Sequence, residues 1–263
     1  MTGSLLVPPA ALPTIGPLAR AAVDRGMAVV SAVVPAVASA VRVHYYGGPL
    51  FADRLVADLR PDLRPDLCLL EPADDWLPGL PLSLVGRRIH ATTLGEARSR
   101  PDRVFVKPPS SKSFTARVYE HGGELPADLP ADTAVLVADV VEFAAEFRLF
   151  LLDGEVRTGS RYATWGRLDP APLADCPDAA RVCAFAANLP GLPSAVVVDV
   201  GLTGPPNDPR ATLAVVEANM AWFSQVYMSD PARALDVVLR AAGPMVDVPL
   251  GDRPFLRRHR TLV

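Results

Sequence analysis

The stretch VVEANMAW, residues 215–222, closes an apolar run at 213–216 with Glu217-Ala218-Asn219. In a strand, positions i and i+2 face the same side. Glu217 and Asn219 therefore aim a carboxylate and a carboxamide at one point, with Ala218 turned away. Polar oxygens at the end of a strand that reads as buried need a cation or another polar partner. A second valine-rich segment, AVVVDVG (195–201), carries one carboxylate, Asp199. A hairpin between the two segments puts Asp199 on the same face as Glu217 and Asn219. Two carboxylates about 4 Å apart repel by about 4 kcal/mol at an effective dielectric of 20. A bound cation reverses that sign. An all-oxygen set suits Mg2+, which takes one or two carboxylates together with substrate phosphates. A hydrogen-bonded carboxylate–amide cluster is the alternative these residues leave open.

The rest of the chain fits a globular protein of 263 residues, with 50% hydrophobic and 21% charged positions. A net charge of −3 gives no global basic field and disfavours a nucleic-acid partner. Cys68, Cys176 and Cys183 form no CxxC pair, and the four histidines are scattered, which argues against a transition-metal site. The odd cysteine count reads as reduced and cytoplasmic. The apolar segment 27–41 is preceded by Asp24 and Arg25 and broken by Pro35, so a strand and a buried turn are expected there rather than a leader or a membrane span.

Strand and helix patterns alternate at the start: strand 4–9, helix 15–26 stopped by Gly26, strand 27–34, helix 51–60, strand 65–72. That order predicts an α/β layer on a parallel sheet. Thr93-Leu94-Gly95-Glu96 reads as a capping box. Beyond it the pattern turns β-rich and antiparallel, an α+β arrangement. Strands are expected over 103–109 and 133–143. Two more span 146–163 around Asp153-Gly154, a hairpin signal, and another pair lies at 195–201 and 213–219. Helices are expected over 177–189 and 231–243. The division is a first domain over 1–95, a second over 96–245, and a basic tail over 246–263.

Only two of the 26 basic residues are lysines, Lys107 and Lys112, and both lie in VKPPSSKSF. An ammonium is a compact charge suited to phosphate, whereas a guanidinium favours planar pairing. Lys107 ends a strand. Lys112 sits among serines whose N–H groups and hydroxyls can wrap phosphate oxygens. Glu146 and Arg148 share a strand face, and Arg161 follows across the hairpin; alone these would read as cross-strand ion pairs. Loops of the GxxxxGK, GxGxxG and GxSxG types are missing from the sequence.

In order, VFVKP, VLVADVVEFAAEFRLFLLDG, VVVDVG and VVEAN resemble the ATP-grasp superfamily over roughly 100–227, and most closely its small bacterial members marked by two arginines and one lysine. The resemblance implies an ATP-grasp fold preceded by a Rossmann-like domain. It implies Lys107 at the α-phosphate, and Ser110, Ser111, Lys112 and Ser113 as a phosphate loop. Asp139, Val140, Val141 and Glu142 would hold adenine, and Glu146 the ribose. Asp199, Glu217 and Asn219 would bind Mg2+, with Arg148 and Arg161 facing the γ-phosphate or acyl group. It implies an ATP- and Mg2+-dependent carboxylate–amine ligase, acting through an acyl phosphate on a small-molecule or peptide carboxylate and an amine acceptor. A small-molecule kinase and a nucleotide-binding module without turnover stay open. Relatives carry a further lysine upstream; here Arg88 or Arg103 would have to serve. Trp222 and Tyr227 read as core aromatics.

Overall fold

The computed structural model describes residues 3–8, 15–31, 42–53, 67–109, 113–206, 208 and 210–257. Strand β1 (Ser4–Val7) runs parallel between β2 (Ala28–Ser31) and β3 (Val43–Tyr45). Helix α1 (Gly16–Asp24) makes the crossover from β1 to β2, and Gly26 at φ 74° turns the chain out of it. Beyond Ser31, the apolar segment lies outside the described residues. The helix expected over 51–60 is helical at 49–53, and its remainder also lies outside them.

The next strand departs from expectation. β4 (Leu67–Leu69) does not extend the parallel sheet; it pairs antiparallel with β14 (Ala242–Pro244), far along the chain. β14 follows the last helix without a gap and brings its free backbone groups to β4, whose own groups need partners.

A four-stranded antiparallel sheet follows, in the order β5-β8-β6-β7. It contains β5 (Ile89–Thr93), β6 (Val104–Lys107), β7 (Arg117–Tyr119) and β8 (Ala134–Ala138). It thus begins at Ile89, inside the stretch read as the first domain. Helix α2 (Leu94–Arg98) is capped by Thr93, whose hydroxyl accepts from the Glu96 N–H at 3.2 Å. The reciprocal half of the box is changed, since the Glu96 carboxylate takes the Thr92 hydroxyl instead.

Residues 139–144 lead into a five-stranded antiparallel sheet of order β11-β10-β9-β12-β13. Its members are β9 (Ala145–Leu152), β10 (Glu155–Thr164), β11 (Arg167–Pro172), β12 (Ala195–Thr203) and β13 (Thr212–Asn219). Asp153 and Gly154, at φ 52° and 80°, form the tight turn between β9 and β10. Period-2 alternation divides this sheet between two cores. Phe150 and Val197 face the first, with Leu5, Leu6, Tyr45 and Trp222. Phe147, Leu149, Val198 and Val215 face the second, beneath α3 (Ala179–Ala187). Helix α4 (Pro231–Ala241) joins the parallel layer to the first core through Ala234, Leu235, Val237, Val238 and Ala241. Each buried leucine or valine there contributes about 1.5–3 kcal/mol. Asp230 caps α4, accepting from Ala232 and Arg233 N–H at 2.9 and 3.1 Å, a contribution of about 1 kcal/mol.

The segment read as a basic tail is, as far as Arg257, folded onto the body. Leu256 bridges to Leu70. The Arg257 guanidinium is bidentate on Asp53 at 3.0 Å, bonds Glu71 at 2.5 Å, and sits 5.7 Å over the Trp222 ring. Among the described residues, no helix is long and apolar enough to cross a membrane.

His44, on β3, tests this packing. Burial pushes its pKa down, against the Leu239 and Ala242 carbonyls at 2.9 and 3.0 Å. The unfolded chain then binds a proton that the folded chain refuses. Stability from this residue is complete above about 6.5 and is lost as pH falls through that value. Urea midpoints at about pH 7.5 and about pH 5.5 should therefore differ more in the wild type than in His44→Gln. Equal pH slopes in the two proteins would show that His44 is not buried neutral.

Candidate active site

Two sheets face each other across a cavity of about 630 Å³. Lys107, the last residue of β6, enters from the four-stranded sheet, because Pro108 and Pro109 cannot continue a ladder. Glu217 and Asn219 enter from the end of β13. The β12–β13 register sets Asp199 opposite Glu217, and the β9–β12 register sets Arg148 opposite Asp199. The hairpin read from sequence is present, and the four polar side chains of β9, β12 and β13 meet on one face.

Their contacts form a chain. Lys107 Nζ bonds Glu217 Oε2. Asn219 Nδ2 donates to Glu217 Oε1 at 2.9 Å and to Asp199 Oδ2 at 3.3 Å. Arg148 Nε and Nη2 take the two Asp199 oxygens at 2.9 and 2.7 Å. Asp199 is 1% exposed, and Arg148, at 13%, separates it from the cavity. Burial drives the Asp199 carboxyl up to about 6, against the pull of Arg148. Burial acts on Glu217 in the same direction, but Lys107, Asn219 and Arg148 outweigh it and hold the group at about 2. Two cations and two carboxylates thus neutralise one another inside the fold. Such a set is costly to break and cheap to rearrange around an arriving charge.

Arg148 is held on its other faces by aromatic rings. Tyr162 and Tyr227 stack at 5.4 Å and 14°, and the guanidinium lies 5.5 and 5.4 Å from their centroids. Tyr162 donates to Glu146 at 2.7 Å, and burial raises the Glu146 carboxyl. Tyr227 holds φ 49°, an uncommon conformation for a residue with a Cβ. Trp222 is the core aromatic that its sequence suggests, fully buried, with Nε1 on the Leu70 carbonyl at 2.8 Å. Tyr227 instead joins the site.

Other candidates fall elsewhere. Arg161 does not reach the cluster. It pairs in register with Phe147, whose side chain faces the second core, and bonds Asp169 at 2.8 Å. A bulge between Val156 and Thr158 shifts the register by one residue, so Arg161 falls opposite Phe147 and Tyr162 takes the face where Arg161 was expected. Arg161→Ala should therefore leave nucleotide affinity within about twofold of wild type; a larger loss in an ATP-analogue titration would return Arg161 to the site. Ser113 lines the cavity, while Ser110, Ser111 and Lys112 lie outside the described residues. Asp139, Val140, Val141 and Glu142 form the link between the sheets. The Asp139 carboxylate holds Arg88 at 2.9 Å. Among the described residues, the N–H groups of Val140, Val141 and Glu142 have no backbone partner.

Arg88 and Arg103 are exposed and paired with Asp139 and Glu120, so neither supplies the missing upstream cation. Arg87 lies much nearer. It is buried, donates to the Val85, Val215 and Val216 carbonyls at 2.8, 2.8 and 3.1 Å, and feels the charges of Glu217 and Glu146. Only Gly86, at φ 63°, hints at this in the sequence, by ending one helical turn and returning the chain toward β13. Among the described residues, no group of three His, Cys, Asp or Glu side chains forms a metal site. The third oxygen ligand available here is the Asn219 carboxamide.

The profile of an ATP-grasp domain family, family 2 of the clade marked by two arginines and one lysine, matches residues 84–237. Among solved structures, the fold is similar to D-cycloserine synthetase DcsG, with a TM-score of 0.53 and 17% identity over 89% of this chain and 98% of that one. It is also similar to the RimK domain ATP-grasp protein from Sphaerobacter thermophilus, with a TM-score of 0.52 and 16% identity over 90% and 99%. No curated protein matches the sequence. At these identities the structural likeness is one of fold.

Proposed function

Because the chain belongs to the ATP-grasp ligases, in family 2 of the two-arginine, one-lysine clade, we propose that it uses ATP and Mg2+ to join a carboxylate to an amine through an acyl phosphate, with a small molecule or a peptide as the carboxylate. One observation carries this reading: Lys107, Glu217, Asn219, Asp199 and Arg148 form one contact chain where two antiparallel sheets face each other. Lys107 and Arg148 present positive charge to the cavity. Arg148, fixed by Asp199 and two rings, offers donors that need no reorganisation as charge develops on the transferred phosphoryl group and the acyl oxygen. The amine then attacks the acyl carbon, the bond to the phosphate oxygen breaks, and phosphate leaves with the electron pair.

The residues fit a bound Mg2+. Glu217 and Asn219 lie at the cavity wall and would hold it, while Asp199, whose two oxygens Arg148 takes, backs Arg148 and does not line the cavity. When bound, the ion would neutralise phosphate charge beside Lys107 and Arg148. Residues 140–142, whose N–H groups have no backbone partner among the described residues, would offer an adenine edge and Glu146 a ribose acceptor, though none of them lines this cavity. Trp76, Leu77, Met220 and Phe223 form an apolar end of the cavity suited to the carbon skeleton of the substrate.

Calorimetric titration with a non-hydrolysable ATP analogue, with and without Mg2+, tests this. The expected result is Mg2+-dependent binding that disappears in Lys107→Ala. Absence of binding under both conditions would end the ligase reading. Where binding holds, hydroxylamine trapping during ADP release separates an acyl phosphate from a stable phosphate ester.

A further inference from the structure

A second cavity, about 1220 Å³, opens between α1, the start of α4, β10 and α3. The reaction proposed above uses none of it. Val156, Leu173, Ala180 and Met228 give its lining an apolar part, and among the described residues no aromatic one lines it. Its rim carries Arg20, Arg25, Arg157 and Arg233 against Asp24 and Asp230. The Asp230 carboxylate is committed to the first N–H groups of α4. Arg25 bonds Asp236 at 2.6 Å, and Arg157 lies 3.7 Å from the same carboxylate. Among the described residues, Arg20 and Arg233 have no carboxylate partner. Four guanidinium groups thus stand against the carboxylates of Asp24, Asp230 and Asp236, and the cations left over, Arg20 and Arg233, flank the groove.

A second observation points the same way. Three buried side-chain polar atoms lack a hydrogen-bond partner among the described residues, and two of them, Arg157 Nε and Ser229 Oγ, belong to residues lining this groove. Ser229 is 5% exposed. An N–H and a hydroxyl without acceptors are costly unless something supplies one. A carboxylate does.

We propose that this groove docks an extended peptide segment in which acidic side chains alternate with aliphatic ones. The arginines take the acids, and the apolar part of the lining takes the aliphatic groups. A nucleic acid fits less well, because no aromatic ring among the described residues lines the groove for base stacking. The chain runs directly from the site to the groove: Tyr227 lies beside Arg148, and the next three residues, Met228, Ser229 and Asp230, line the groove. Its service as a substrate-holding surface rests on the ligase reading, whereas the binding itself does not.

The test is fluorescence polarisation of the full chain with a labelled peptide of alternating Glu and Leu, beside a Gln and Leu counterpart. The Glu peptide should bind at least about tenfold tighter and weaken with salt. The exposed pair Arg20→Glu with Arg233→Glu should lose about tenfold, while the ATP-analogue titration stays at wild type and so reports an intact fold. Equal affinity for the two peptides, unchanged binding in the double variant, or no saturable binding would overturn the proposal. So would displacement by a single-stranded RNA at lower concentration, or light scattering showing that the groove residues hold a second copy of the chain. Peptide binding without nucleotide binding would sink the ligase reading and leave this one standing.

Discussion

Arg148→Met should lower stability by about 3–5 kcal/mol and abolish binding of the ATP analogue. The stability loss follows from Asp199, which is left buried without its bidentate partner and must either carry an unpaired charge or take up a proton. Tyr162 and Tyr227 also lose the cation between them and Asp199. The double variant Arg148→Met with Asp199→Leu separates the two consequences. With both charges removed, most of the lost stability should return, because a buried ion pair replaced by apolar groups is close to neutral. Nucleotide binding should not return. Urea midpoints of the two variants, read beside calorimetry, check both statements. Recovery of binding in the double variant would show that Arg148 serves only to neutralise Asp199.

Glu217→Gln should act in the opposite way, on chemistry with little cost to the fold. The side chain is 28% exposed at the cavity wall and keeps its shape in the amide. Its charge is what Lys107 and the proposed Mg2+ both use. ADP release with Mg2+ should fall by about a thousandfold, matching the several kcal/mol of charge stabilisation a metal supplies, while the urea midpoint moves little. Full activity in Glu217→Gln would remove Glu217 from the metal site.

Much of this site was legible because strands keep their parity. One look at Glu217-Ala218-Asn219 tells which two side chains share a face, and the valines around Asp199 mark the strand it must pair with. The two lysines stood out by rarity, and one of them, Lys107, lines the cavity. What stayed hidden depends on departures from regularity or on long-range placement. Arg161 was misplaced because a bulge in β10 is invisible to a period-2 reading and exchanges the faces of Arg161 and Tyr162. Arg87 was hidden as one of two adjacent arginines in the bend after Gly86, before β5 begins, where no periodicity says which one turns inward. Tyr227 looked like a core aromatic because nothing local marks a positive φ at a tyrosine. The pairing of β4 with β14 joins segments far apart in the chain, and a parallel expectation drawn from neighbouring elements could not anticipate it. The parallel order of β1, β2 and β3, by contrast, followed from alternation alone.

The ion pair between Lys107 and Glu217 gives the cleft the character of a counter-ion exchanger. At rest each charged group at the cavity floor already has a partner of opposite sign from the chain itself. On the proposed reading, a polyanion and a dication arrive together: the ammonium changes its allegiance from carboxylate to phosphate, and the dication takes the carboxylate it left. Neither arrival alone balances the ledger, since a lone polyanion would strip Glu217 of its cation and a lone dication would crowd Lys107. Nucleotide and metal should therefore enter as a single neutralising unit, with each raising the affinity of the other by the same factor.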